Sequence, residues 1–249
     1  HLIAGHYENQ YTGGYSYLDD FESTQSGMDL LNPYAWNLAS TPYEDSNPKF
    51  PEAEKVNDIA YGKNRALLAW YTVDGIFTRK SSSSRPRHLT NDDLSNHYTR
   101  GVSYKEIFPN KELGTNDNTT LPVLNLAFYP NERGPYNLDA ENVNSDGTLG
   151  NPEKRWGGVM RKIEPSDLES ANYEYIEFWL LDPYLEDETA EGGDLYFNLG
   201  EISEDILKDE RKFFENGMPV DGDMSKVDTT VWGKVPLSLI HISEPTRRS

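Results

Sequence analysis

The amino-acid sequence predicts a mainly β fold with a few short helices. Its 249 residues include 16 Tyr and 5 Trp, which favour strands, together with 19 Gly and 15 Pro, which favour turns. Short apolar runs recur between such turn residues, a pattern typical of two packed sheets. The length suffices for one large or two small domains with a sizeable core. We therefore expect a β-sandwich.

Four apolar runs are the predicted strands. In the clearest, residues 173–181, both alternating faces are largely apolar, whereas a transmembrane barrel strand is apolar on one face only. This run is therefore expected in a sheet core, with Trp179 buried, and it ends at the turn signal Asp182-Pro183. We expect the four strands to pair mostly antiparallel. The other three are residues 65–73, 124–129 and 195–199.

One helix is predicted, from Ser203 to about Asn216. Ser203 can cap its first turn, and Glu204 and Asp205 suit the positive end of the helix dipole. A shorter helical turn is predicted at residues 166–169. The apolar side chains of the longer helix that are expected to pack on a sheet are Ile206, Leu207, Phe213 and Phe214.

The sequence divides into three regions. Residues 1–14 are an irregular start, residues 15–236 are expected to form the β-sandwich domain, and residues 237–249 resemble a translated transposon-type sequencing adaptor, which is expected to pack poorly. A polar, basic stretch near residues 78–100 indicates an exposed excursion. No signal segment follows His1, so we expect an internal fragment of a longer protein.

Charge and composition exclude several classes of protein. The net charge is −19, and binding to a nucleic-acid backbone depends on Lys and Arg, so no nucleic-acid partner is expected. The sequence has no Cys, which removes disulfides and thiolate metal sites. The longest clear apolar run, residues 66–71, falls far short of the roughly 18 residues of a membrane helix. The chain itself is therefore not expected to span a membrane.

A loop rich in amides and carboxylates is the first candidate calcium site. Asn142, Asn144, Asp146 and Glu153 fall at positions one, three, five and twelve of a calcium-binding loop, with Gly147 at position six. However, a Pro directly precedes the Glu and a Gly pair follows soon after, so the exiting helix of an EF-hand is not predicted. An ordinary turn at the Asp-Gly pair is the alternative.

A cluster of three acidic residues is the second candidate calcium site. Asp19, Asp20 and Glu22 lie at the start of a predicted strand, where calcium could tie down an edge of the sandwich. The alternative is a solvated acidic turn, which arises easily in a chain with 42 acidic residues. Calcium at either place would be structural, and no other cofactor is expected.

No arrangement of residues predicts an active site. Glu174, Glu177 and Asp182 could supply the paired carboxyl groups of a glycosidase, but the two Glu residues stand on opposite faces of one predicted strand. His88 and His97 are nine positions apart, which matches no common metal motif. We therefore expect no catalytic residue and no enzymatic activity.

Two further sets of side chains could bind ligands. Basic residues of the excursion could contact an anionic partner, although a solvated loop is the alternative. They are Arg79, Lys80, Arg85, Arg87 and Arg100. Four indole rings could stack on sugars, although aromatic residues within strands usually belong to the core. They are Trp36, Trp70, Trp156 and Trp179.

Seven unusual motifs follow one another over roughly residues 15–236. Four are DDFE at 19–22, NRALLAWY at 64–71, NERGPYN at 131–137 and NPEKRWGG at 151–158. The others are PYAWNLASTP at 33–42, FWLLDP at 178–183, and the run 193–217 that includes LYFNLGEISEDILK. Together they resemble the SprA family, the gliding-motility and type 9 secretion outer-membrane translocons of Bacteroidetes.

The resemblance implies a soluble insertion of a very large outer-membrane barrel that conducts folded cargo to the cell surface. Its place would be the cell envelope, and its partners would be other type 9 secretion subunits and secreted cargo. It would support protein export and gliding motility by docking those partners, with no catalytic residue. Three of the motifs also look like a galactose-binding-like jelly roll, the fold of many carbohydrate-binding modules. A surface carbohydrate-binding module is therefore the alternative function.

Overall fold

The fold is mainly β, as the sequence predicts. It is given by a computed structural model that describes residues 7–8, 15–16, 30–43, 49–78, 83, 85–115, 117–163, 176, 178–187, 189–190, 192–210, 218–219 and 221–239. Within these ranges, eight strands pair two by two in four antiparallel ribbons. The strands are β1 (Tyr7–Glu8), β2 (Tyr15–Ser16), β3 (Asn37–Leu38), β4 (Ala66–Tyr71), β5 (Asn125–Arg133), β6 (Val159–Met160), β7 (Val227–Thr230) and β8 (Gly233–Pro236).

The helices of the described ranges are short. The α-helices are α1 (Asn91–Ser95) and α2 (Tyr104–Ile107). Because the longer of the two has five residues, no helix in this part of the chain is long enough to cross a membrane. The 3-10 helices are Pro33–Ala35, Pro51–Glu54, Ile59–Gly62, Gly75–Phe77, Pro152–Lys154 and Met224–Lys226.

The ribbon β4–β5 confirms two predicted strands and their antiparallel pairing. Apolar and aromatic residues make up β4 and dominate the first half of β5, which suits a pleated backbone. A β-bulge between Ala66 and Leu67 shifts the register, so that Ala66 faces Arg133 at the far end of β5. Beside the bulge, the Ala66 N–H donates to the Trp156 carbonyl oxygen at 2.8 Å. The bulge thereby turns the base of β4 toward a third segment of chain.

Contacts divide the chain into two units. The first comprises His1–Leu30 and Lys162–Leu181 and contains the ribbon β1–β2. The second comprises Leu31–Arg161 and Asp182–Ser249 and contains the other three ribbons and both α-helices. Every buried residue of the described core belongs to the second unit.

The core of the second unit mixes apolar and polar side chains. Its buried apolar members are Ala53, Tyr61, Ala66, Leu94, Leu149, Trp156, Ile206, Leu207 and Val235. Its buried polar members are Thr41, Glu52, Arg65, His97, Asn137, Asp139 and Arg155. Charged residues are rarely enclosed unless they have partners, so these polar side chains must be tied to specific groups.

The predicted strand at residues 173–181 is not formed in its described part. Phe178, Trp179, Leu180 and Leu181 adopt no strand, and Trp179 is 71% exposed instead of buried. Alternating apolar residues suit a strand, but a strand also needs a neighbour that supplies ladder hydrogen bonds. No backbone bond joins Trp179 to another described segment. Residues 173–175 and 177 lie outside the described ranges.

The predicted strand at residues 195–199 is not formed either, and its leucines are exposed. The chain here runs without a helix, turn or bend, but no described strand pairs with it. The sequence correctly indicates a straight apolar segment. It does not reveal whether a neighbouring strand is present, because that depends on the rest of the fold.

The helix predicted from Ser203 is wrong over its described part. Residues 203–210 contain no helix, because Lys208 and Glu210 have left-handed backbone angles, with φ of 52° and 61°. The Asp205 carboxylate holds this loop by accepting the N–H groups of Asp209 and Glu210 at 2.8 and 2.7 Å. Ile206 and Leu207 are nevertheless buried, as expected of them. The other two expected core residues, Phe213 and Phe214, and the predicted turn at 166–169 lie outside the described ranges.

The described part of the predicted excursion near residues 78–100 is mostly exposed, with Leu94 and His97 as its buried residues. Thr90 and Asp93 form a reciprocal capping box that starts α1, and this helix buries Leu94. His97 is also buried, and its Nε2 lies 2.6 Å from the carbonyl oxygen of Asp182. Residues 79–82 and 84 lie outside the described part of the chain.

The end of the described chain is a hairpin followed by three residues of the expected adaptor. Gly233, with φ of 101°, completes the turn between β7 and β8 in a conformation that glycine tolerates best. Leu237 is exposed, although its N–H donates to the Lys226 carbonyl oxygen at 2.9 Å. Ile240 and Ile242 are outside the described ranges, so poor packing of the whole tail stays a prediction.

Candidate docking surface

Arg65 is the centre of the polar core. Its side chain is fully buried and donates to three carbonyl oxygens, those of Pro135 at 3.2 Å, Ala39 at 3.1 Å and Ile206 at 3.4 Å. Burial lowers the pKa of Arg65 to about 10, so the group stays charged at neutral pH. One guanidinium thereby joins three segments that are far apart in the sequence.

Trp156 continues this core on one side of Arg65. The guanidinium lies over the indole ring, 5.0 Å from its centre, in cation–π geometry. The indole N–H donates to Glu52 Oε1 at 3.2 Å, and the Asn64 amide donates to the same oxygen at 2.9 Å. These contacts fix the orientation of Trp156 and orient the buried Glu52 carboxylate.

Arg155 and Asp139 form a buried ion pair on the other side. Both guanidinium Nη atoms lie 3.3 Å from Asp139 Oδ2. Arg155 also donates to the carbonyl oxygens of Lys63 at 2.6 Å and Gly150 at 2.9 Å. A charge pair that is enclosed and also hydrogen-bonded to backbone holds its surroundings in one arrangement.

Residues from several of the seven motifs that carry the family resemblance meet in this polar core. Arg65 comes from the motif at 64–71, Gly134 and Asn137 from the one at 131–137, and Arg155 and Trp156 from the one at 151–158. The Asn137 amide donates to the Arg65 carbonyl oxygen at 2.6 Å. A Cβ at Gly134 would lie 2.3 Å from the Ala66 carbonyl oxygen, so only glycine fits there. These three motifs therefore have a structural explanation.

Residues 192–202, which we call the docking segment, are attached to this core near their first residues. Lys49 Nζ lies 2.7 Å from Asp194 Oδ2 and also hydrogen-bonds the Tyr196 hydroxyl. The hydrogen bond to Asp194, followed by that to Tyr196, raises the pKa of Lys49. The Phe50 ring packs edge-on against both Tyr196 and Trp156, with ring centres 6.4 and 6.3 Å apart. Phe50 thus joins the docking segment to the core.

The docking segment is held again just beyond its last residues. The Ser40 hydroxyl donates to the Ser203 carbonyl oxygen at 2.7 Å, and Arg65 reaches the Ile206 carbonyl oxygen. Lys208 donates from Nζ to the Ala53 carbonyl oxygen at 2.7 Å. The docking segment is therefore attached to the core both near its first residues and just beyond its last residues.

The outer side of the docking segment is apolar. Leu195 and Leu199 are each 56% exposed, and Phe197 and Ile202 are exposed as well. Because side chains alternate along an extended backbone, the leucines share one side, and the attached Tyr196 lies on the other. Monomeric soluble proteins rarely expose a row of large apolar side chains unless it binds something.

The ribbon β4–β5 adds a second apolar surface to the same unit. Leu126, Phe128 and Tyr129 of β5 are all exposed, as is Tyr71 of β4. Gly157 approaches the ribbon so closely that an added Cβ would lie 2.8 Å from Leu68 Cβ, and the β4 side chains from Leu67 to Trp70 are half-buried. A two-stranded ribbon with open faces is marginally stable alone and gains from covering.

The first predicted calcium loop is a hairpin held by its own side chains. Val143 and Leu149 form an isolated antiparallel bridge around it. Inside it, Asp146 Oδ1 accepts the Thr148 hydroxyl at 2.7 Å and N–H at 3.0 Å, which lowers the pKa of Asp146. Asn144 Nδ2 donates to the Thr148 hydroxyl.

The remaining candidate ligands of that loop do not join Asp146. Asn142 Nδ2 donates to Asp139 at 3.1 Å, and Glu153 is exposed in the helical turn Pro152–Lys154. The second candidate group, Asp19, Asp20 and Glu22, lies outside the described residues. In the described ranges, no group of three His, Cys, Asp or Glu side chains is arranged to hold a metal ion.

The other candidate residues have local partners or lie outside the described residues. Asp182 Oδ1 accepts the Tyr184 N–H at 2.8 Å, while Glu174 and Glu177 lie outside the described residues. Arg100, of the basic stretch, forms a two-pronged ion pair with Glu106 at 2.6 and 2.9 Å.

The four indole rings differ in their exposure. Trp156 is buried, whereas Trp36 and Trp70 are half-buried, and Trp70 donates to the Pro33 carbonyl oxygen at 3.1 Å. Only Trp179, among these four, presents most of its ring to solvent. A sugar platform built on all four rings is therefore not formed.

Sequence reasoning missed the residues that attach the docking segment. Lys49 and Phe50 lie between Pro48 and Pro51, and nothing in their sequence surroundings marks them. A signal for the docking segment itself exists, because the sequence contains no Lys, Arg or His from Ile163 to Leu207. Such a long stretch of acidic and apolar residues indicates an interaction surface.

No protein-family model matches the chain, and no curated protein matches its sequence. The resemblance to the SprA family therefore depends on the seven motifs alone, and the function that this resemblance implies is a proposal.

Proposed function

We propose that this chain is a structural, partner-docking segment of a SprA-like type 9 secretion translocon, with no catalytic role. The observation that carries the proposal is the docking segment, an apolar strip attached at both ends to a polar core. Rigid attachment lowers the entropy lost when a partner binds, and exposed leucines and aromatics supply the contact area. The proposed location is the cell envelope, as a soluble part of an outer-membrane protein.

The motif resemblance supports this proposal in a second way. The residues it identifies build the core from which the docking segment and the ribbon β4–β5 extend. A translocon insertion needs such a scaffold, since docking surfaces work best on rigid elements. The proposed partners are other type 9 secretion subunits and secreted cargo.

The jelly-roll sandwich is part of the same proposal. The ribbon β4–β5 would belong to one of its sheets, and the apolar runs 173–181 and 195–199 would supply further strands. The open faces of the ribbon support this arrangement, because a sandwich requires two sheets to cover each other.

A surface carbohydrate-binding module is the second candidate function. The exposed indole of Trp179 favours it, because sugar rings stack on aromatic rings that solvent can reach. Retention of the purified chain on a glycan array, and loss of retention in Trp179→Ala, would support this candidate. Absence of retention on every glycan would remove it.

The test of the docking function uses the full-length translocon. Residues matching 19–236 are replaced by a short Gly/Ser linker, outer-membrane assembly is confirmed, and cargo export is measured. We expect export to stop, because gate subunits and cargo lose their docking surface. Normal export from an assembled variant would contradict the proposal.

Point variants make the test sharper. Leu195→Asp with Leu199→Asp should reduce export strongly, because a charge on the apolar strip opposes its burial. Val231→Asp is the matched control, since Val231 is equally exposed but lies in the β7–β8 turn. If the control and the double variant behave alike, the docking segment is not the surface that matters.

A further inference from the structure

We propose that the chain cleaves its own backbone between Asp182 and Pro183. The Asp182 carboxylate attacks the carbonyl carbon of its own residue, and His97 stabilises the charge that develops on the carbonyl oxygen. The reaction occurs once per chain and is independent of the proposed docking function. Three observations carry the inference: the kind of peptide bond, the position of the carboxylate and the hydrogen-bond donor on the carbonyl.

The bond itself is chemically weak. Asp182-Pro183 is the only Asp-Pro pair in the sequence. An Asp carboxylate reaches its own carbonyl carbon by closing a five-membered ring, and a nucleophile in the same residue has a very high effective concentration. The Pro nitrogen leaves as a secondary amine, which accepts a proton readily. This pair therefore needs little assistance from the fold to react.

The Asp182 carboxylate is folded back over the bond. Its Oδ1 accepts the Tyr184 N–H at 2.8 Å, so that the side chain lies along the turn that contains the Asp182–Pro183 peptide. In the part of the chain that the structure describes, Oδ2 makes no hydrogen bond. Asp182 is also exposed to solvent. One oxygen thus orients the carboxylate, the other is the nucleophile, and water can reach the product.

His97 supplies a donor to the carbonyl that is attacked. Its Nε2 lies 2.6 Å from the Asp182 carbonyl oxygen, and because a carbonyl only accepts, the ring nitrogen donates. The imidazole is 8% exposed and is therefore held in place by its surroundings. On the other side of the bond, the Tyr98 hydroxyl donates to the Pro183 carbonyl oxygen at 3.1 Å. The site therefore has a preformed donor where negative charge develops.

The reaction consumes one water molecule and needs no oxidant or reductant. Asp182 Oδ2 forms a bond to the carbonyl carbon, and the carbonyl electron pair moves to the oxygen that His97 contacts. When this oxyanion collapses, the C–N bond breaks and the Pro183 nitrogen takes a proton from water. The hydroxide that remains opens the cyclic anhydride. Asp182 becomes a new carboxyl terminus, and Pro183 becomes a new amino terminus.

The two fragments stay together after the cut. Lys49 bonds to Asp194, and Ser40 bonds to Ser203, so both contacts join fragment 1–182 to fragment 183–249. Cleavage should therefore be visible only when the chain is denatured. Its consequence is that noncovalent contacts alone attach the docking segment to fragment 1–182.

The experiment follows the purified complete chain at neutral pH over several days. Samples are denatured and analysed by gel electrophoresis and intact-mass spectrometry. We expect fragments 1–182 and 183–249, whose summed mass exceeds that of the intact chain by one water molecule. The rate should be independent of chain concentration, because the reaction is intramolecular. In concentrated urea, where His97 leaves the carbonyl, the rate should fall at least about tenfold.

Variants assign the roles of the two side chains. Asp182→Asn removes the nucleophile and should stop cleavage. His97→Phe keeps a ring in the buried position but removes the donor, and should slow cleavage about a hundredfold. His88→Phe is the matched control, because His88 is exposed, and should leave the rate unchanged. Circular dichroism and urea midpoints establish that each variant folds. If His97→Phe does not fold, Asp182→Glu replaces it, since a longer side chain must close a six-membered ring and should cleave more slowly.

Several outcomes would overturn the inference. They are an intact chain after prolonged incubation, equal rates in folded and urea-unfolded chain, cleavage of Asp182→Asn at the original rate, and equal rates in His97→Phe and His88→Phe. A rate that rises with chain concentration would indicate cleavage of one molecule by another and would also overturn it.

Discussion

The guanidinium of Arg155 lies 3.3 Å from the carboxylate of Asp139, and both side chains are buried. The other ion pairs of the described residues, such as Lys226 with Asp221, are exposed or partly exposed to solvent. The two kinds of pair have different consequences for stability, because water screens the exposed charges and leaves the buried ones unscreened.

Removing Arg155 should destabilise the chain strongly. Arg155→Met keeps most of the side-chain volume but leaves the Asp139 carboxylate buried without its charge partner. We expect the free energy of unfolding to fall by about 3–5 kcal/mol. Urea unfolding followed by tryptophan fluorescence measures it. Lys226→Met is the control and should leave the urea midpoint unchanged. Equal effects of the two variants would contradict a structural role for the buried pair.

β4 and β5 could be predicted because the types of side chain in these two runs are sufficient by themselves to indicate a strand. It did not predict which apolar runs find a neighbour, so residues 178–181 and 195–199 were assigned to a sheet core that their described part does not form. Pairing depends on distant segments, which local patterns do not encode.

The polar core could not be predicted from the sequence, for a different reason. Searches for a core rely on the spacing of apolar residues. Arg65 begins the predicted strand 65–73 but is charged, and Glu52 belongs to no apolar run, yet both are almost completely buried. Their burial depends on carbonyl and indole partners from remote segments. The unusual motifs indicated a family resemblance, but they did not indicate which residues form the buried polar core.

Adding a methyl group at Gly134 should be poorly tolerated. In Gly134→Ala, the new Cβ would lie 2.3 Å from the carbonyl oxygen of Ala66, a backbone atom that cannot move alone. We expect a loss of about 1–3 kcal/mol or more in urea unfolding. Gly150→Ala is the control, because its nearest neighbour would be at an ordinary 3.5 Å. If Gly134→Ala left the free energy of unfolding unchanged, the base of the ribbon would be less tightly packed than the 2.3 Å distance indicates.

Leu207 should contribute to stability although it does not belong to a helix. Its side chain is only 1% exposed, so Leu207→Ala should cost about 2–5 kcal/mol. Leu237→Ala removes the same atoms from an exposed position and should change stability by less than about 0.5 kcal/mol. Thermal and urea unfolding of both variants measure the difference. Similar losses at the two positions would contradict the assignment of Leu207 to the core.

The stability of the chain should depend on pH through Asp58. The Ala60 N–H, followed by Lys55, lowers the pKa of this carboxyl below its ordinary value of 3.8. The unfolded chain therefore takes up the proton first as the pH falls, so the stabilising effect is complete above about pH 4 and is lost as the pH falls through the folded-state pKa. Asp58→Asn should flatten this part of the pH profile of the urea midpoint. An unchanged profile would contradict the role of Asp58.

The attachment of the docking segment by Lys49 should control local opening without controlling global stability. Lys49→Met removes the bonds to Asp194 and Tyr196, but the Phe50 packing and the bond from Ser40 to Ser203 remain. Exposed ion pairs contribute little to unfolding, so the urea midpoint should hardly change. Local opening of the segment should nevertheless become more frequent, because one of its two attachments is weakened. Chymotrypsin should then cut after Tyr196 or Phe197 several-fold faster than in the unaltered chain, with Lys226→Met as the control. Cleavage at the same rate in all three proteins would show that Lys49 does not hold the docking segment in place.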